Sequence, residues 1–164
     1  MKRIAWIGIT LIVPILALAQ SRGMELYKEG KYADAAKVLA EEVNASPENV
    51  ETLTYLGLAR VYAGDSNGGL DPLKRALARN DEYAEAHFGL GLAYFKMKNL
   101  DPAIASLERA TKLAPSHAYA HYYLGTAYNQ SGKKDLAIPH LRRFVELAPN
   151  APEAPAVRSF LSKI

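Results

Sequence analysis

Apolar and small residues recur along this chain at one constant interval. Glycine stands at Gly23, Gly57, Gly91 and Gly125, so that successive copies are offset by 57 minus 23, or thirty-four, positions. A leucine follows each of these glycines sixteen positions later, a small residue precedes that leucine in every copy, and a proline or aspartate closes each copy. Fixed self-similarity at a period of about 20–50 residues indicates an architecture of stacked repeats.

Each copy contains two segments with the periodicity of an amphipathic helix. In residues 84–117, Leu90, Gly91 and Tyr94 belong to a run of apolar residues at spacings of three and four, and a second run begins at Ala103. The polar pair Lys98 and Asn99 separates the two runs. The pattern therefore predicts an all-α solenoid of four helix-turn-helix units, at about residues 16–49, 50–83, 84–117 and 118–151.

This pattern resembles the tetratricopeptide repeat. The residues that carry the resemblance are Leu90, Gly91, Tyr94, Ala103, Leu107, Ala110 and Pro115 in one copy, and Leu124, Gly125, Tyr128, Gly132, Ala137, Leu141 and Pro149 in the next. The resemblance covers roughly residues 16–151. It implies an α-solenoid in which the first helices of successive units line a concave groove that holds a partner.

The copy at residues 50–83 departs from the motif. Arg60 replaces the usual aromatic residue, Gly69 replaces alanine and Asp81 replaces proline. We expect this unit, and the copy before it, in which Glu42 replaces the third small residue, to pack more loosely than the next two. Pro72 falls inside its second helix, where it removes a backbone donor, but the apolar spacing continues on both sides. We therefore expect a bent helix there rather than an absent one.

Residues 152–164 are predicted to form a C-terminal capping helix. Val157, Phe160, Leu161 and Ile164 make an apolar stripe, with polar residues opposite. This stripe should cover the last helix of the fourth unit.

Residues 1–19 have the layout of a secretory signal, with Lys2 and Arg3 before an apolar run that ends in Ala17-Leu18-Ala19. We expect cleavage before Gln20 and a periplasmic or secreted protein of bacterial type. A retained membrane anchor is the alternative, although 16 apolar residues from Ile4 to Ala19 fall short of the ~20 that span a bilayer. Only a retained signal would bring contact with a membrane.

Removal of the signal changes the charge balance. The chain has 20 basic and 17 acidic residues, and two of the basic residues belong to the signal, so the remainder carries 18 minus 17, or +1. This near neutrality gives no support for nucleic-acid binding.

The sequence predicts no catalytic residues, no cofactor and no metal site. It has no cysteine, and its four histidines lack a third ligand at a suitable spacing. No phosphate-binding glycine loop or serine-nucleophile motif occurs. We expect a protein that is not an enzyme and that takes no small-molecule substrate.

The resemblance places the candidate partner groove on the first helices of the four units. Reading these helices in equal register gives Tyr27, Leu58, Tyr62, Phe88, Leu92, Phe95, Lys96, Tyr119, Tyr122 and Asn129. Aromatic and aliphatic side chains at these positions could anchor a peptide.

Two functions remain open from the sequence. The first is an exported scaffold that binds a peptide or protein segment in the groove. The second is a structural or assembly subunit that docks through its terminal repeat or its cap, and that an uncleaved N-terminus would hold at a membrane. In both cases the partner is a protein whose identity the sequence does not give.

Overall fold

The computed structural model describes residues 21–164, and the predicted signal at residues 1–19 lies outside the described residues. The described part is entirely α-helical, as predicted. Its nine helices are α1 Arg22–Lys28, α2 Tyr32–Ala45, α3 Val50–Tyr62, α4 Ser66–Arg79, α5 Ala84–Lys96, α6 Leu100–Leu113, α7 Ala118–Gln130, α8 Lys134–Leu147 and α9 Ala154–Leu161.

Consecutive helices pair as α1 with α2, α3 with α4, α5 with α6 and α7 with α8, and each pair packs on the next. The repeated glycine makes each pairing close. A Cβ placed on Gly23, Gly57, Gly91 or Gly125 would lie 2.4, 2.4, 2.5 or 2.7 Å from the Cγ of the leucine on the facing helix. No side chain fits in that space, so the leucine packs directly on the glycine backbone.

The turns inside the pairs recur with the same period as the helices. The backbone is left-handed at Gly30, Gly64 and Gly132, with φ of 75°, 98° and 76°. Lys98 holds the same position in the third unit, with φ of 62°. Glycine adopts this conformation without a steric penalty, and lysine does not. The shared geometry shows that four similar turns reverse the chain between paired helices.

The unit at residues 50–83 is tightly packed, so the expectation of looser packing is wrong. Gly69 brings α4 so close to α3 that a Cβ there would lie 2.6 Å from Val61 Cγ2. Helix α4 runs without interruption through Pro72, whose side chain is fully buried. The glycine in place of alanine therefore permits close contact between the two helices, and no gap opens there.

Arg60 explains how α4 tolerates its proline. Pro72 has no N–H, so the carbonyl of Gly68, four residues earlier, lacks its intrahelical donor. The Arg60 guanidinium Nη1 donates to this Gly68 oxygen at 2.8 Å. Two departures from the repeat motif thus compensate for each other, because the arginine supplies the hydrogen bond that the proline removes.

Helix α9 caps the solenoid by packing on α8, as the sequence predicted. Val157 is buried and Phe160 and Leu161 are partly buried, whereas Ile164 lies beyond the end of the helix and is 60% exposed. The predicted stripe is thus correct except for Ile164. Phe144 of α8 is fully buried beneath the neighbouring aromatic rings.

We predict an energetic coupling between Arg60 and Pro72. Arg60→Met should lower the free energy of unfolding by about 1 kcal/mol, since it leaves the Gly68 carbonyl without a protein donor. In a Pro72→Ala background the new amide at position 72 can donate to that carbonyl, so the same substitution should have little effect. Urea unfolding of the four proteins in a double-mutant cycle measures the coupling. Equal losses in both backgrounds would contradict this account.

Candidate functional site: the inner aromatic face

The first helices of the units form the inner side of a curved stack. Among the described residues, α1 contacts α3, α3 contacts α5 and α5 contacts α7, whereas no two of α2, α4, α6 and α8 contact each other. The first helices are therefore closer together than the second helices, which requires the stack to curve toward them. We call the surface of α1, α3, α5 and α7, together with the adjoining edge of α9, the inner face.

Four tyrosines form a cluster at the N-terminal end of the inner face. The ring of Tyr27 lies 5.1 Å from that of Tyr55, 5.4 Å from that of Tyr32 and 6.0 Å from that of Tyr62. The rings of Tyr32 and Tyr62 stack at 4.8 Å. Edge-to-face and stacked rings at these distances attract each other, so the four side chains hold each other in place. We call this group the tyrosine cluster.

A second group of rings continues across the C-terminal half. Tyr122 lies 5.1 Å from Tyr123, 4.9 Å from Phe144 and 6.3 Å from Tyr119, measured between ring centroids. Phe95 of the preceding unit lies 5.3 Å from Tyr123. This second aromatic cluster therefore joins the third unit to the fourth.

Burial and nearby carboxylates keep the inner-face phenols protonated. Burial raises the pKa of Tyr27 and Tyr62 well above the ordinary value, and the charge of Glu85 adds to the rise in both. Burial likewise raises the pKa of Tyr123 to about 12, with a contribution from Glu153. Tyr123 also contributes to the raised pKa of Tyr62, so the two clusters lie close enough to interact electrostatically. At neutral pH the Tyr27, Tyr62 and Tyr123 side chains thus present neutral hydroxyls.

A cation already occupies one ring face. The Lys96 ammonium stands 5.8 Å from the centroid of Tyr62, within the range of a cation–π attraction. This contact lies at the end of the inner helix α5, on the exposed side of the tyrosine cluster. The inner face can therefore attract positive charge through its rings as well as through its carboxylates.

A cavity of about 210 Å³ lies between α7 and α9. Tyr122, Thr126 and Asn129 line it from α7, and Glu153 and Phe160 line it from the cap and its approach. The capping helix thus extends the inner face beyond the fourth unit.

Most of the predicted groove residues lie at this surface. Lys96 is exposed, and the half-buried residues are Tyr27, Tyr62, Phe95, Tyr119, Tyr122 and Asn129. Their contact with a partner stays a prediction.

Three predicted groove residues are instead buried, and their placement at the open surface is wrong. Leu58 and Leu92 have no exposed surface, and Phe88 is 3% exposed. The close approach of neighbouring first helices is the reason. Leu58 Cδ2 would stand 3.3 Å from a Cβ on Gly89 of the next unit, and the ring of His117 lies 4.4 Å from that of Phe88. These side chains hold adjacent units together.

Sequence reasoning missed Tyr32, Tyr55, Tyr123 and Glu153. Tyr55 and Tyr123 hold the same repeat position, two units apart, so their equal register was a usable signal. Tyr32 opens a second helix and Glu153 precedes the cap, and no reading of first helices alone could have included them.

A histidine pair lies apart from the inner face, between α7 and α8. His121 Nε2 lies 3.1 Å from the Pro115 carbonyl, so this nitrogen carries the proton and donates. His121 Nδ1 then accepts from His140 Nδ1, at 2.9 Å. Within residues 21–164 no group of three His, Cys, Asp or Glu side chains could hold a metal ion. The pair is therefore a hydrogen-bonded packing contact of the fourth unit.

In the portion of the chain that the structure describes, no helix is both long enough and apolar enough to cross a bilayer.

The fold and the inner face define a helical-repeat scaffold. Two sequence models of the tetratricopeptide repeat match residues 63–121 and 96–152, and together they cover more than half of the chain. The chain belongs to the tetratricopeptide repeat family, and this family places it among protein-interaction scaffolds.

Solved structures support the same assignment. The crystal structure of MamA is 28% identical with a TM-score of 0.73, and the match covers 89% of this chain and 85% of that one. A thermophilic tetratricopeptide repeat protein of Thermus thermophilus is 25% identical with a TM-score of 0.70, over 86% of this chain and 76% of that one. No curated protein sequence matches significantly.

We predict that the stability of the fourth unit falls in mild acid. Burial lowers the pKa of His121 and His140 below the ordinary value of 6.5, and nearby positive charge lowers it further, from Arg143 and His117 for the first and from His121 for the second. The unfolded chain therefore binds more protons than the folded chain just below that value. Hence the contribution of this histidine pair to the free energy of unfolding is complete above about pH 6.5 and is lost as the pH falls below that value.

Urea unfolding at pH 7.5 and pH 5.5 measures this loss. His140→Gln should reduce the loss, because one of the two buried titrating rings is removed. His87→Gln is the matched control, since His87 only contacts the Asp81 carbonyl at the surface. A loss unchanged by His140→Gln would show that other groups cause it.

Proposed function

We propose that this protein is a non-catalytic scaffold whose inner face binds a peptide or a protein segment. The observation that carries the proposal is the presence of half-buried aromatic rings in two clusters along the inner face. Rings of this kind present a large contact area, and they lose little conformational freedom on binding because their neighbours already hold them.

The geometry supports a moderate affinity. Burying one apolar side chain against the inner face contributes about 1.5–3 kcal/mol, before the partner's ordering is subtracted. A few such contacts correspond to a dissociation constant in the micromolar range.

Photo-crosslinking from the inner face tests this function. A photoreactive amino acid in place of Tyr122 should capture a partner in extracts of the native host. The matched control carries it in place of Ala105, which is exposed on the outer helix α6. Adding Tyr62→Leu to the protein with the photoreactive residue at position 122 should reduce the capture at least fivefold. The melting temperature of this variant checks that it remains folded.

Equal capture from Tyr122 and Ala105 would contradict binding at the inner face. Capture only from the outer face or the cap would favour the second function, an assembly subunit that docks through its ends. Phe88 is unsuitable for such tests because it is buried.

We also propose that the protein is exported and that residues 1–19 are removed. The basic start, the apolar run and the Ala17-Leu18-Ala19 ending support this proposal. N-terminal sequencing of the protein from its host should begin at Gln20. A chain that begins at Met1 would favour a retained anchor.

A further inference from the structure

Three glutamates of the inner face share one position of the repeat. Glu85 follows Glu51 by one repeat length, and Glu153 follows Glu85 by two. Glu51 and Glu85 lie in the first turns of α3 and α5, and Glu153 immediately precedes α9. Tyr119 holds the intervening position, and its hydroxyl donates to Glu153 Oε2 at 3.2 Å. The array therefore carries carboxylates along the edge of the inner face where the first helices begin.

These carboxylates have no lysine or arginine partner in the described chain. Within residues 21–164, Glu51, Glu85 and Glu153 form no ion pair with a lysine or arginine, and Glu85 contacts His117 Nε2 at 3.2 Å. Elsewhere in the described chain, six acidic residues pair with a lysine or arginine, as Asp34 does with Lys37, and others, such as Glu41 and Asp101, do not. No lysine or arginine of the described residues therefore neutralises these three carboxylates, although one oxygen each of Glu85 and Glu153 is hydrogen-bonded within the chain.

The tyrosines beside them strengthen this preference. Glu85 contributes to the raised pKa of Tyr27, Tyr55 and Tyr62, so all three rings lie close to its charge. The ring face of Tyr62 already attracts the Lys96 ammonium. Carboxylates and phenol faces both favour cations, and aromatic faces favour apolar side chains as well.

The lysines of the inner face lie at the opposite edge, whereas Arg22, at the start of α1, lines a cavity with Glu51 and pairs with Glu25 of its own helix. Lys28 and Lys96 occupy the last turns of α1 and α5, whereas the glutamates occupy the starts of their helices. On the first helices α3, α5 and α7 the only other full charge is Arg60, which is bonded to the Gly68 carbonyl of α4. The acidic edge is therefore not neutralised by its own helices.

We propose that the inner face binds an extended segment of another protein whose lysine or arginine side chains pair with Glu51, Glu85 and Glu153, while apolar side chains between them lie on the tyrosine rings. The proposal rests on the proposed function and names the chemistry of its partner. A segment rich in carboxylates is excluded, because it would place like charges together along this edge.

The repeat geometry sets the spacing of the basic residues. Packed helices lie about 8–10 Å apart, and an extended segment in the polyproline II conformation advances about 3.1 Å per residue and presents every third side chain on the same face. One unit therefore corresponds to about three residues of partner, and the two units between Glu85 and Glu153 to about six. Basic residues at positions 1, 4 and 10 of a segment should match the three glutamates.

Fluorescence polarisation with three labelled ten-residue peptides tests the proposal. The probes have lysine, glutamine or glutamate at positions 1, 4 and 10, and the same leucines and serines elsewhere. The lysine probe should bind at least tenfold more tightly than the glutamate probe at low salt, and its advantage should shrink as salt screens the charges. The triple variant Glu51→Gln, Glu85→Gln, Glu153→Gln should bind the lysine probe at least tenfold more weakly than the unmodified protein does.

The control variant removes the same charge from the outer helices. This triple variant, Glu41→Gln, Asp101→Asn, Glu146→Gln, should change the affinity for the lysine probe less than twofold. Circular dichroism checks that both triple variants are folded. If all three probes bind equally and Tyr62→Leu weakens the binding of each, the proposed preference for basic residues is overturned. The proposed binding of peptides to the inner face would still stand. Binding of no probe, or tighter binding of the glutamate probe, would also overturn it. Crosslinking from Tyr122 tests the proposed function independently.

Discussion

The contact between a glycine on the first helix and a leucine on the second is the constraint on which the array depends. At Gly23, Gly57, Gly91 and Gly125, the position that a Cβ would take lies within 2.7 Å of the leucine Cγ. The two backbones can approach only because one residue has no side chain. The fourfold recurrence of this contact gives each unit the same internal geometry, and equal units stack into a regular curve.

The curve determines which residues are buried and which are open. The first helices contact each other directly, so the side chains that point along the stack, such as Leu58 and Leu92, are fully buried. Rings nearer the inner surface, such as Tyr62 and Tyr122, remain partly exposed. The same packing that stabilises the units therefore also arranges the aromatic surface, and no separate element is needed to build the site.

The sequence was sufficient for the fold because the repeat pattern is local and is copied four times. It was less reliable for the site. Equal register identified Tyr62 and Tyr122, but whether Phe88 is open or covered depends on His117, the residue that caps the N-terminus of α7. The role of Arg60 could not be read from the motif either, because its partner is a backbone carbonyl that only Pro72 leaves vacant. Contacts between units and between paired helices require the three-dimensional arrangement.

The central claim is that partners bind to the inner aromatic face. Aromatic NMR spectra of protein with isotope-labelled tyrosine, recorded as the segment recovered by crosslinking is added, test it most directly. The claim predicts shifts at Tyr62, Tyr122 and Tyr123, with none at Tyr128, which is buried between α7 and α8 and bonded to Glu108. Unchanged inner-face rings, together with shifts on the outer helices, would contradict it.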